Sequence, residues 1–388
     1  MLHFSTSRTE LHRIISLTQN VVSKKATNPV LSNFLISGKE NTIRVIGSDL
    51  DVTALATIPC RVEKEGTVCI KAGVFSDLVK ELPEGPVDFQ VGSNYRVQVT
   101  AGSARLALVG ASGSDYPNFK GLGLQLRGRV ISHHLSEMIS KTLYAVCHDE
   151  TRYHLNGICF EVEPASSESG NASLRSIALD GFRLATVSRP CIPPSITEQI
   201  IVPKKGLSEL RRILDDEPVS EVEFDIIEGM LVVRTRNVEL CTRLIDGEFP
   251  PYQRLYAPNR DSIISVDGRE LLRALRRASL LAAESWKCVQ LDLSRGRLRV
   301  STSSADLGDA SEELSADYDG KPFSVGYNVR SLIDLISALG EDQDLCFELY
   351  GGSFPGKFWG RTDPASFAIL MPMRLNPDDD QKQGGASN

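Results

Sequence analysis

The sequence lacks the short motifs that usually mark an enzyme active site. It contains no GxSxG, HExxH or P-loop pattern and no dinucleotide-binding glycine pattern. Its eight cysteines are scattered, without a CxxC pair or a Cys/His spacing that suits zinc. They are expected to be small buried hydrophobes. We therefore expect no catalytic residues, no metal and no cofactor.

Long apolar runs are also missing. None approaches the roughly 20 residues that a membrane-spanning helix needs. The N-terminus has no basic patch followed by an apolar stretch, so no secretory signal is expected. This pattern predicts a cytoplasmic protein without a membrane partner.

The charge balance is acidic, with a net charge of −7 over 388 residues. A negative total argues at face value against nucleic acid as a partner, but it does not describe how charge is distributed over the surface. The length favours two or three domains over one.

An internal repeat is the strongest feature of the sequence. Three segments have apolar residues at helical spacing, each on one face. These residues are Leu11, Ile14, Ile15, Thr18 and Val22 in the first segment, Leu135, Met138, Ile139, Thr142 and Val146 in the second, and Leu271, Ala274, Leu275, Ala278 and Ala282 in the third. Ser7 with Glu10, and Asp267 with Glu270, predict capping boxes at two of the helix starts.

The same order of elements follows each of these helices. A strand leads to a polar turn with an acid at Asp49, at Asp180 and, displaced by two residues, at Asp306. A second amphipathic helix then precedes a strand with alternating apolar residues, which indicates one buried face. The second helices contain Phe75, Leu78, Val79 and Leu82; Leu207, Leu210 and Leu214; and Val329, Leu332, Ile333 and Ile336. The alternating strands contain Val87, Phe89 and Val91; Val222, Phe224 and Ile226; and Leu345, Phe347 and Leu349.

The period has the length of a domain. Phe75, Leu207 and Val329 are 132 and 122 residues apart, which exceeds the 20 to 50 residues of a solenoid repeat. The sequence therefore predicts three tandem α+β domains at 1–125, 126–256 and 257–375, each with two helices and about eight strands in largely antiparallel sheets. Residues 376–388 are expected to form a disordered tail. Unused sheet edges at the two ends of such a chain can pair head to tail and close a ring.

Basic side chains concentrate on the polar faces of the predicted helices. They are Arg269, Arg273, Arg276 and Arg277 in the third repeat, Lys204, Lys205, Arg211 and Arg212 in the second, and Lys24 and Lys25 after the first helix. Helices that line a hole would present these side chains to phosphates without reading the base sequence. The alternative is that they are ordinary solvated helix faces.

The sequence resembles the bacterial sliding clamp family, the beta subunit of the replicative DNA polymerase III, over residues 1 to 375. The resemblance rests on five stretches in order, which begin at Asp149, Leu179, Ile201, Leu244 and Met371. It implies a DNA polymerase processivity factor that forms a head-to-tail homodimeric ring, slides on duplex DNA and is not an enzyme. It also implies polymerase subunits and repair polymerases as partners through short peptide motifs, and an ATP-dependent clamp loader.

The resemblance implies a partner-peptide pocket between the second and third domains. Its residues are Arg152, Leu155, Leu179, Gly181, Phe182, Arg183, Leu184, Pro250, Leu255, Ile369, Met371, Pro372, Met373 and Arg374. Leucine and methionine side chains suit a site that exchanges many partners. The alternative from the residues alone is that they are ordinary core.

Two further sets follow from the same resemblance. The DNA-facing set is Lys25, His148, Lys204, Lys205, Arg254, Trp286, Tyr327 and Asn328. The dimer set is Arg105 and Leu106 on one side, and Leu280, Leu281, Asp309, Glu312 and Glu313 on the other. Trp286 either touches DNA from a loop or is half-buried. The predicted loop at 354–359 either caps the pocket or packs locally, and the tail after Leu375 starts beside the pocket.

Two alternatives remain open from the sequence. The first is an enzyme, with candidates at His148, Asp149 and Glu150, at His133 and His134, and at Asp49 and Asp51. Adjacent histidines point to different sides of a helix and make a poor metal site. Recurrence of Asp49 and Asp180 at one turn favours a structural Asx-turn over catalysis. The second alternative is a duplicate or drug-tolerant clamp with a narrowed partner set.

Overall fold

The protein is described by a computed structural model that covers residues 2–23, 28–119, 122–164, 172–195, 198–216, 221–255, 263–282, 287–349 and 354–375. Lys25, Trp286 and the predicted tail lie outside these ranges. Three stretches of the chain repeat the same order of elements, and we call them the first, second and third modules.

The first module contains nine strands and two helices among its described residues. They are β1 (His3–Ser7), α1 (Arg8–Gln19), β2 (Asn33–Lys39), β3 (Thr42–Ser48), β4 (Val52–Pro59), β5 (Arg61–Lys64), β6 (Gly66–Lys71), α2 (Ala72–Glu81), β7 (Pro86–Val91), β8 (Arg96–Ala101) and β9 (Ala104–Ala111).

The second and third modules each have eight strands and two helices in the described ranges. The second contains β10 (Gly128–Ile131), α3 (Ser132–Thr142), β11 (Gly157–Glu163), β12 (Ser173–Leu179), β13 (Arg183–Ile192), β14 (Ile200–Pro203), α4 (Lys204–Asp216), β15 (Glu221–Ile227), β16 (Met230–Arg234) and β17 (Val238–Arg243). The third contains β18 (Ile263–Asp267), α5 (Gly268–Leu281), β19 (Cys288–Ser294), β20 (Arg297–Ser304), β21 (Gly308–Asp317), β22 (Phe323–Asn328), α6 (Val329–Leu339), β23 (Asp344–Glu348), β24 (Gly356–Gly360) and β25 (Asp363–Leu370).

The predicted helix starts are confirmed at two sites. The Ser7 hydroxyl accepts a hydrogen bond from the Glu10 N–H at 3.1 Å, and the Asp267 carboxylate accepts one from the Glu270 N–H at 2.8 Å. Each bond satisfies a donor that the first helical turn leaves without a partner. The predicted ends were too late in four helices, because α1 ends at Gln19, α2 at Glu81, α3 at Thr142 and α5 at Leu281. The residues beyond these ends are Val22, Leu82, Val146 and Ala282.

The recurrent turn acids have the predicted structural role. Asp49 accepts hydrogen bonds from the N–H groups of Asp51 and Val52 at 3.1 and 2.8 Å. Asp180 accepts hydrogen bonds from the N–H groups of Phe182 and Arg183, both at 2.9 Å. Both are Asx-turns. In the third module Asp306 lies in the turn between β20 and β21, as predicted, and there the hydroxyl of Ser304 accepts a hydrogen bond from the N–H of Leu307 at 3.3 Å.

Two other predictions need correction. Residues 356–360 form strand β24 and are not part of a loop, and Trp359 pairs with Phe367 across the β24–β25 hairpin. The eight cysteines, all within the described ranges, form no disulfide, but Cys60, Cys191 and Cys288 are half-buried and not fully buried. None of the helices in the described ranges is long and apolar enough to cross a membrane.

Contacts divide the chain into two compact units, each of which takes part of the second module. Unit 1 comprises residues 1–136, 164–173 and 190–245. Unit 2 comprises residues 137–163, 174–189 and 246–388. The third-module helices α5 and α6 pack their apolar faces, including Leu272, Leu275 and Leu332, into one core with the strands of that module.

One pairing rule joins successive modules. In unit 1, the last strand of the second module, β17, pairs antiparallel with the fourth strand of the first module, β4, with Leu240 opposite Ala54. In unit 2, the last strand of the third module, β25, pairs antiparallel with the fourth strand of the second, β13, with Ala368 opposite Ala185. We call these pairings the first and second junctions.

A network of charges accompanies the second junction. Arg189 donates to Glu137 at 2.8 Å and to the Asp363 carboxylate at 2.6 and 3.2 Å. The Lys141 ammonium lies 2.7 Å from Glu137 and 2.9 Å from Asp363, and the Ser366 hydroxyl donates to Asp363. The four charged side chains are only 11–22% exposed. Burial disfavours ionisation of Asp363, but these hydrogen bonds outweigh burial and hold its pKa well below the usual range.

Candidate functional site

The turn between β12 and β13 projects an aromatic side chain into solvent. Gly181 has a φ of +95°, a conformation that costs a residue with a side chain roughly 1–2 kcal/mol. The Asx-turn at Asp180 fixes the backbone of Phe182, whose side chain is 73% exposed. An exposed phenylalanine held on a defined turn differs from a scattered surface hydrophobe, because its position is fixed.

Phe182 lies beside the C-terminal end of β25. The Met371 N–H donates to the Phe182 carbonyl at 2.8 Å, one step beyond the β13–β25 register. Met371 is 38% exposed, whereas Leu184 and Ile369, which lie opposite each other in the two strands, are buried. The structure therefore brings together an exposed apolar rim and a buried apolar floor from the predicted pocket.

The first junction provides a control within the same chain. There the Arg243 N–H donates to the Asp51 carbonyl, also at 2.8 Å, at the positions equivalent to Met371 and Phe182. The Asp51 and Arg243 side chains are 74% and 68% exposed, and their charged groups are 3.9 Å apart. The backbone arrangement is the same, so the fold does not require apolar side chains at these positions.

Arg183 supports this turn from the other face of the sheet. Its guanidinium donates to Asp180 at 2.8 Å and to Asp334 at 3.0 Å, and it lies 5.3 Å from the centre of the Tyr144 ring. Burial disfavours the cation, but the two carboxylates raise the pKa of Arg183 above its ordinary value. The predicted pocket residue Arg183 therefore positions the turn and is already paired.

Arg152 is a second basic side chain beside the turn. It belongs to the 3-10 segment Glu150–Leu155, and its guanidinium lies 3.0 Å from the position where a Cβ on Gly181 would be. Its guanidinium is half-exposed and 3.8 Å from Asp149. Leu155 is buried in the same segment, where its carbonyl accepts from the Cys147 N–H at 3.1 Å.

The remaining predicted pocket residues line the nearby segments of unit 2. Leu179, Pro250, Leu255, Pro372 and Met373 are half-buried, and Arg374 is exposed. The Tyr252 hydroxyl contacts the Glu161 carboxylate and anchors the segment that carries Pro250 and Leu255. The Met373 N–H donates to the Gly326 carbonyl at 2.8 Å, which fixes the chain after Met371.

The predicted DNA-facing residues differ in accessibility. Lys204 and Lys205 begin α4, and the Lys205 ammonium contacts the Asp49 carboxylate. His148 and Arg254 are exposed. Lys204 and Lys205 belong to unit 1, whereas His148 and Arg254 belong to unit 2.

Tyr327 must be removed from the DNA-facing set. It is fully buried, and its ring packs 5.7 Å from the ring of Phe358, so it has no surface to offer to DNA. Asn328 caps α6 by accepting from the N–H groups of Arg330 and Ser331, both at 3.1 Å.

Two exposed arginines were left out of the predicted DNA-facing set. Arg273 and Arg276 lie on the polar face of α5, and neither forms an ion pair within the described part of the chain. Their neighbour Arg277 donates to Glu312 at 2.9 Å. The basic run in the helix was the sequence signal for them.

The predicted dimer residues lie along two strand edges. The stretch of β9 at 104–109 pairs only with β8, and the stretch of β21 at 308–315 pairs only with β20, among the described strands. The side chains there include Arg105, Leu106, Asp309, Glu312 and Glu313, with Leu280 exposed and Leu281 half-buried at the end of α5. Sequence reasoning missed Val109, which is 88% exposed, and the exposed Leu307.

Two of the enzymatic candidates, Asp149 and Asp49, have structural roles in the described structure. Asp149 caps the Glu150–Leu155 segment through the Thr151 N–H at 3.0 Å and the Thr151 hydroxyl at 2.7 Å. These bonds lower the pKa of Asp149. Asp49 is an Asx-turn residue, so both acids have structural roles.

Three sequence families match the chain in succession. They are described as the N-terminal, central and C-terminal domains of the DNA polymerase III beta subunit, and they match residues 2–120, 129–251 and 253–374. The beta sliding clamp of Pseudomonas aeruginosa is 30% identical over 379 residues, which cover 96% of this chain and 100% of that protein. The beta sliding clamp of Escherichia coli K12 is 26% identical over 377 residues, with the same coverage.

Solved structures agree with these matches. The sliding clamp of Bacillus subtilis aligns with a TM-score of 0.89 at 26% identity, covering 97% of this chain and 100% of that one. A sliding clamp from Bartonella birtlesii, solved with griselimycin bound, aligns with a TM-score of 0.88 at 26% identity and the same coverage. These matches favour a general clamp over a specialised duplicate. The chain therefore belongs to the DNA polymerase III beta subunit family, with three tandem clamp domains, and is a DNA polymerase processivity factor and not an enzyme.

Proposed function

We propose that two copies of this chain close a head-to-tail ring around duplex DNA and tether partner proteins by short peptides. The peptides bind where Phe182 and Met371 rise above the floor formed by Leu184 and Ile369. The observation that carries this site is the contrast between the junctions: exposed apolar side chains occupy the second junction where the first has a solvated ion pair.

The energetics suit a reversible tether. Each apolar peptide anchor that is buried contributes about 1.5–3 kcal/mol gross. After the loss of chain entropy on binding, two or three anchors leave an affinity in the micromolar range, about −8 kcal/mol. Such affinity allows replicative and repair polymerases to exchange on one clamp. Griselimycin, which the Bartonella birtlesii relative binds, is a useful competitor for this site.

A residue swap between the junctions tests the pocket. The double variant Phe182→Asp with Met371→Arg installs the first-junction ion pair at the second junction. We expect it to weaken binding of a polymerase-derived peptide by about 100-fold, because two anchors lose their contacts. Fluorescence anisotropy measures this loss. The matched control, Asp51→Phe with Arg243→Met, should bind the peptide normally.

The dimer contact follows from the same strand-pairing rule. At both junctions the last strand of one module pairs with the fourth strand of the module before it. The last strand of the first module, β9, and the fourth strand of the third, β21, are the two that lack such a partner in the described structure. We propose that β9 of one protomer pairs antiparallel with β21 of its partner.

The repeat fixes the register of this contact. The last strands of the three modules have equivalent residues at Leu106, Leu240 and Ala368. Each lies in a row of paired residues, two strands away from an equivalent phenylalanine: Phe89, Phe224 or Phe347. Ala310 corresponds to Ala54, because it pairs with Thr302 as Ala54 pairs with Gly47, each two residues before the equivalent turn residues Ser304 and Asp49. Since Ala54 lies opposite Leu240, Leu106 is expected to lie opposite Ala310 across the dimer. Arg105 then has Asp309 and Glu313 as diagonal neighbours on one face of the sheet. The Val109 N–H is then expected to donate to the Leu307 carbonyl, as the Met371 N–H donates to the Phe182 carbonyl.

Native mass spectrometry tests the dimer. Twice the chain mass of 42.5 kDa gives about 85 kDa. Val109→Asp places a charge in the closed interface and should raise the dissociation constant at least about tenfold, since an unpaired buried charge is costly. Val74→Asp changes an exposed valine on α2 and should leave the dimer intact. A monomeric wild type would contradict the ring.

The DNA contact is proposed to be electrostatic and independent of sequence. It includes Lys25, His148, Lys204, Lys205, Arg254, Trp286 and Asn328 from the sequence, with Arg273 and Arg276 added. Phosphate contacts of this kind weaken steeply as salt rises. We further propose domain limits at 1–125, 126–256 and 257–375, a cytoplasmic location, and ring opening by a separate ATP-dependent loader.

A further inference from the structure

A cation from the second module contacts the C-terminal end of a helix in the first. The guanidinium of Arg212, on α4, donates to the Leu17 carbonyl of α1 at 2.9 Å, and both residues belong to unit 1. Leu17 lies in the last turn of α1, where carbonyls lack partners within the helix, and that turn contains no basic residue of its own. A cation is favourable there because it also meets the negative end of the helix dipole. Arg212 therefore links the first two modules by capping α1.

Strand register identifies the residues that are equivalent to Arg212. Just before the second helix of each module, one residue bridges to the end of the module: Cys69 to Ala111, Ile201 to Ile245 and Gly326 to Met373. These end residues each lie five positions after the equivalent Leu106, Leu240 and Ala368, so the three bridges are equivalent. Eleven positions after each bridge, the second helices have Lys80, Arg212 and Ser337.

The residue at this position follows the composition of the first helix in the preceding module. Helix α1 has no basic residue in its last turn, and the next module has Arg212. Helix α3 has Lys141 in its last turn, and the next module has Ser337. Helix α5 again has no basic residue in its last turn. The pattern therefore predicts a cation on the module that follows α5, and Lys80 of α2 is the equivalent residue that remains.

Lys80 is held at the surface of its own module. Arg8 donates to the Lys80 carbonyl at 2.7 Å, which fixes this end of α2 beside the start of α1. The Lys80 ammonium lies 3.7 Å from the Asp77 carboxylate, and the two side chains are 46% and 82% exposed. The equivalent pair, Arg212 and Glu209, is 3.1 Å apart, and its side chains are 28% and 16% exposed. The same pair is thus shielded where another module adjoins it and open on the first module.

We propose that, in the closed ring, the Lys80 ammonium of one protomer donates to the carbonyls at the C-terminal end of α5 in the second copy. The acceptors are the carbonyls of 279–281, because the Ala278 carbonyl already accepts from the Ala282 N–H at 3.1 Å. Arg277, just before this turn, donates to Glu312 at 2.9 Å and is thereby neutralised. This inference rests on the proposed pairing of β9 with β21. It adds a contact between helices to the contact between strands.

Dimer dissociation, measured by analytical ultracentrifugation without DNA, tests this contact. Lys80→Met keeps the length of the side chain and removes the charge, so the dissociation constant should rise about 3–10-fold, since each ring contains two such contacts. Lys80→Arg should stay within about twofold of wild type. About 0.5 M salt should reduce the difference between wild type and Lys80→Met. The matched control, Lys39→Met, removes an exposed lysine from β2 and should leave the dissociation constant unchanged.

Hydrogen exchange distinguishes a contact at α5 from a general loss of affinity. At concentrations where all variants are dimeric, the amides of 278–282 should exchange faster in Lys80→Met than in wild type or Lys39→Met. A monomeric wild type would contradict the ring itself. In a dimeric wild type, an unchanged dissociation constant for Lys80→Met would overturn only the role of Lys80. A weaker dimer with unchanged exchange at 278–282 would also overturn it, because Lys80 would then act at another site.

Discussion

The two junctions have the same backbone and different chemistry. Each consists of five antiparallel residue pairs, and each is extended by one 2.8 Å hydrogen bond into an Asx-turn. The first junction has the exposed pair of Asp51 and Arg243, whereas the second has a shielded ion network and the exposed apolar pair of Phe182 and Met371. Strand pairing thus supplies the connection between modules, and side chains at equivalent positions are free to acquire separate functions.

The largest expected loss of stability comes from breaking the ion network at the second junction. Asp363→Ala leaves Arg189 and Lys141 without their shared carboxylate in a shielded site, so the free energy of unfolding of unit 2 should fall by about 2–4 kcal/mol. Arg243→Ala at the first junction should cost under about 0.5 kcal/mol, because its ion pair is solvated. Urea denaturation followed by hydrogen exchange resolves the two units. If the two substitutions lower the free energy of unfolding equally, the proposed difference between the junctions is wrong.

Acid pH should weaken the second junction specifically. Burial alone would raise the pKa values of Asp363 and Glu137, but Arg189 and Lys141 outweigh it and lower both in the folded protein. Their stabilisation is therefore fully present above the ordinary carboxyl pKa of about 4 and is lost as pH falls below it toward the folded values. Between pH 5 and 3 the melting temperature should fall more steeply for wild type than for Asp363→Asn. If the melting temperatures of the two proteins fall equally, Asp363 is not the cause of the acid sensitivity.

The smallest effect should come from the two turns. Leu50 and Gly181 are equivalent, with φ of +80° and +95°. Leu50→Gly removes the strain of a side chain at positive φ but adds chain entropy to the unfolded state, so we expect a gain of about 0.5 kcal/mol. Gly181→Leu should destabilise the fold and displace Arg152, whose guanidinium fills the space of the new side chain. Differential scanning calorimetry of both variants measures the asymmetry.

The sequence predicts those features that depend on local chemistry. The caps at Ser7 and Asp267, the Asx-turns at Asp49 and Asp180, and the order of elements in three modules all follow from short-range spacing. The threefold repeat also predicts unused sheet edges. Family resemblance adds the members of the pocket.

Features that depend on long-range pairing were not predictable in this way. The equivalence of Asp51 with Phe182 and of Arg243 with Met371 appears only when the junction registers are known. The burial of Tyr327 depends on packing against a distant strand residue, Phe358. The equivalence of Lys80 with Arg212 likewise follows from the bridges before the second helices.

The pairing rule gives the chain a direction. Each module offers its last strand and accepts another on its fourth, so one end of the chain is always the donor and the other always the acceptor. Identical chains joined in this way all run in the same sense around a closed assembly, which consequently has two unlike faces. In the proposed ring every copy of the Phe182–Met371 rim has the same orientation, so a partner that approaches from one face meets either all of the proposed pockets or none.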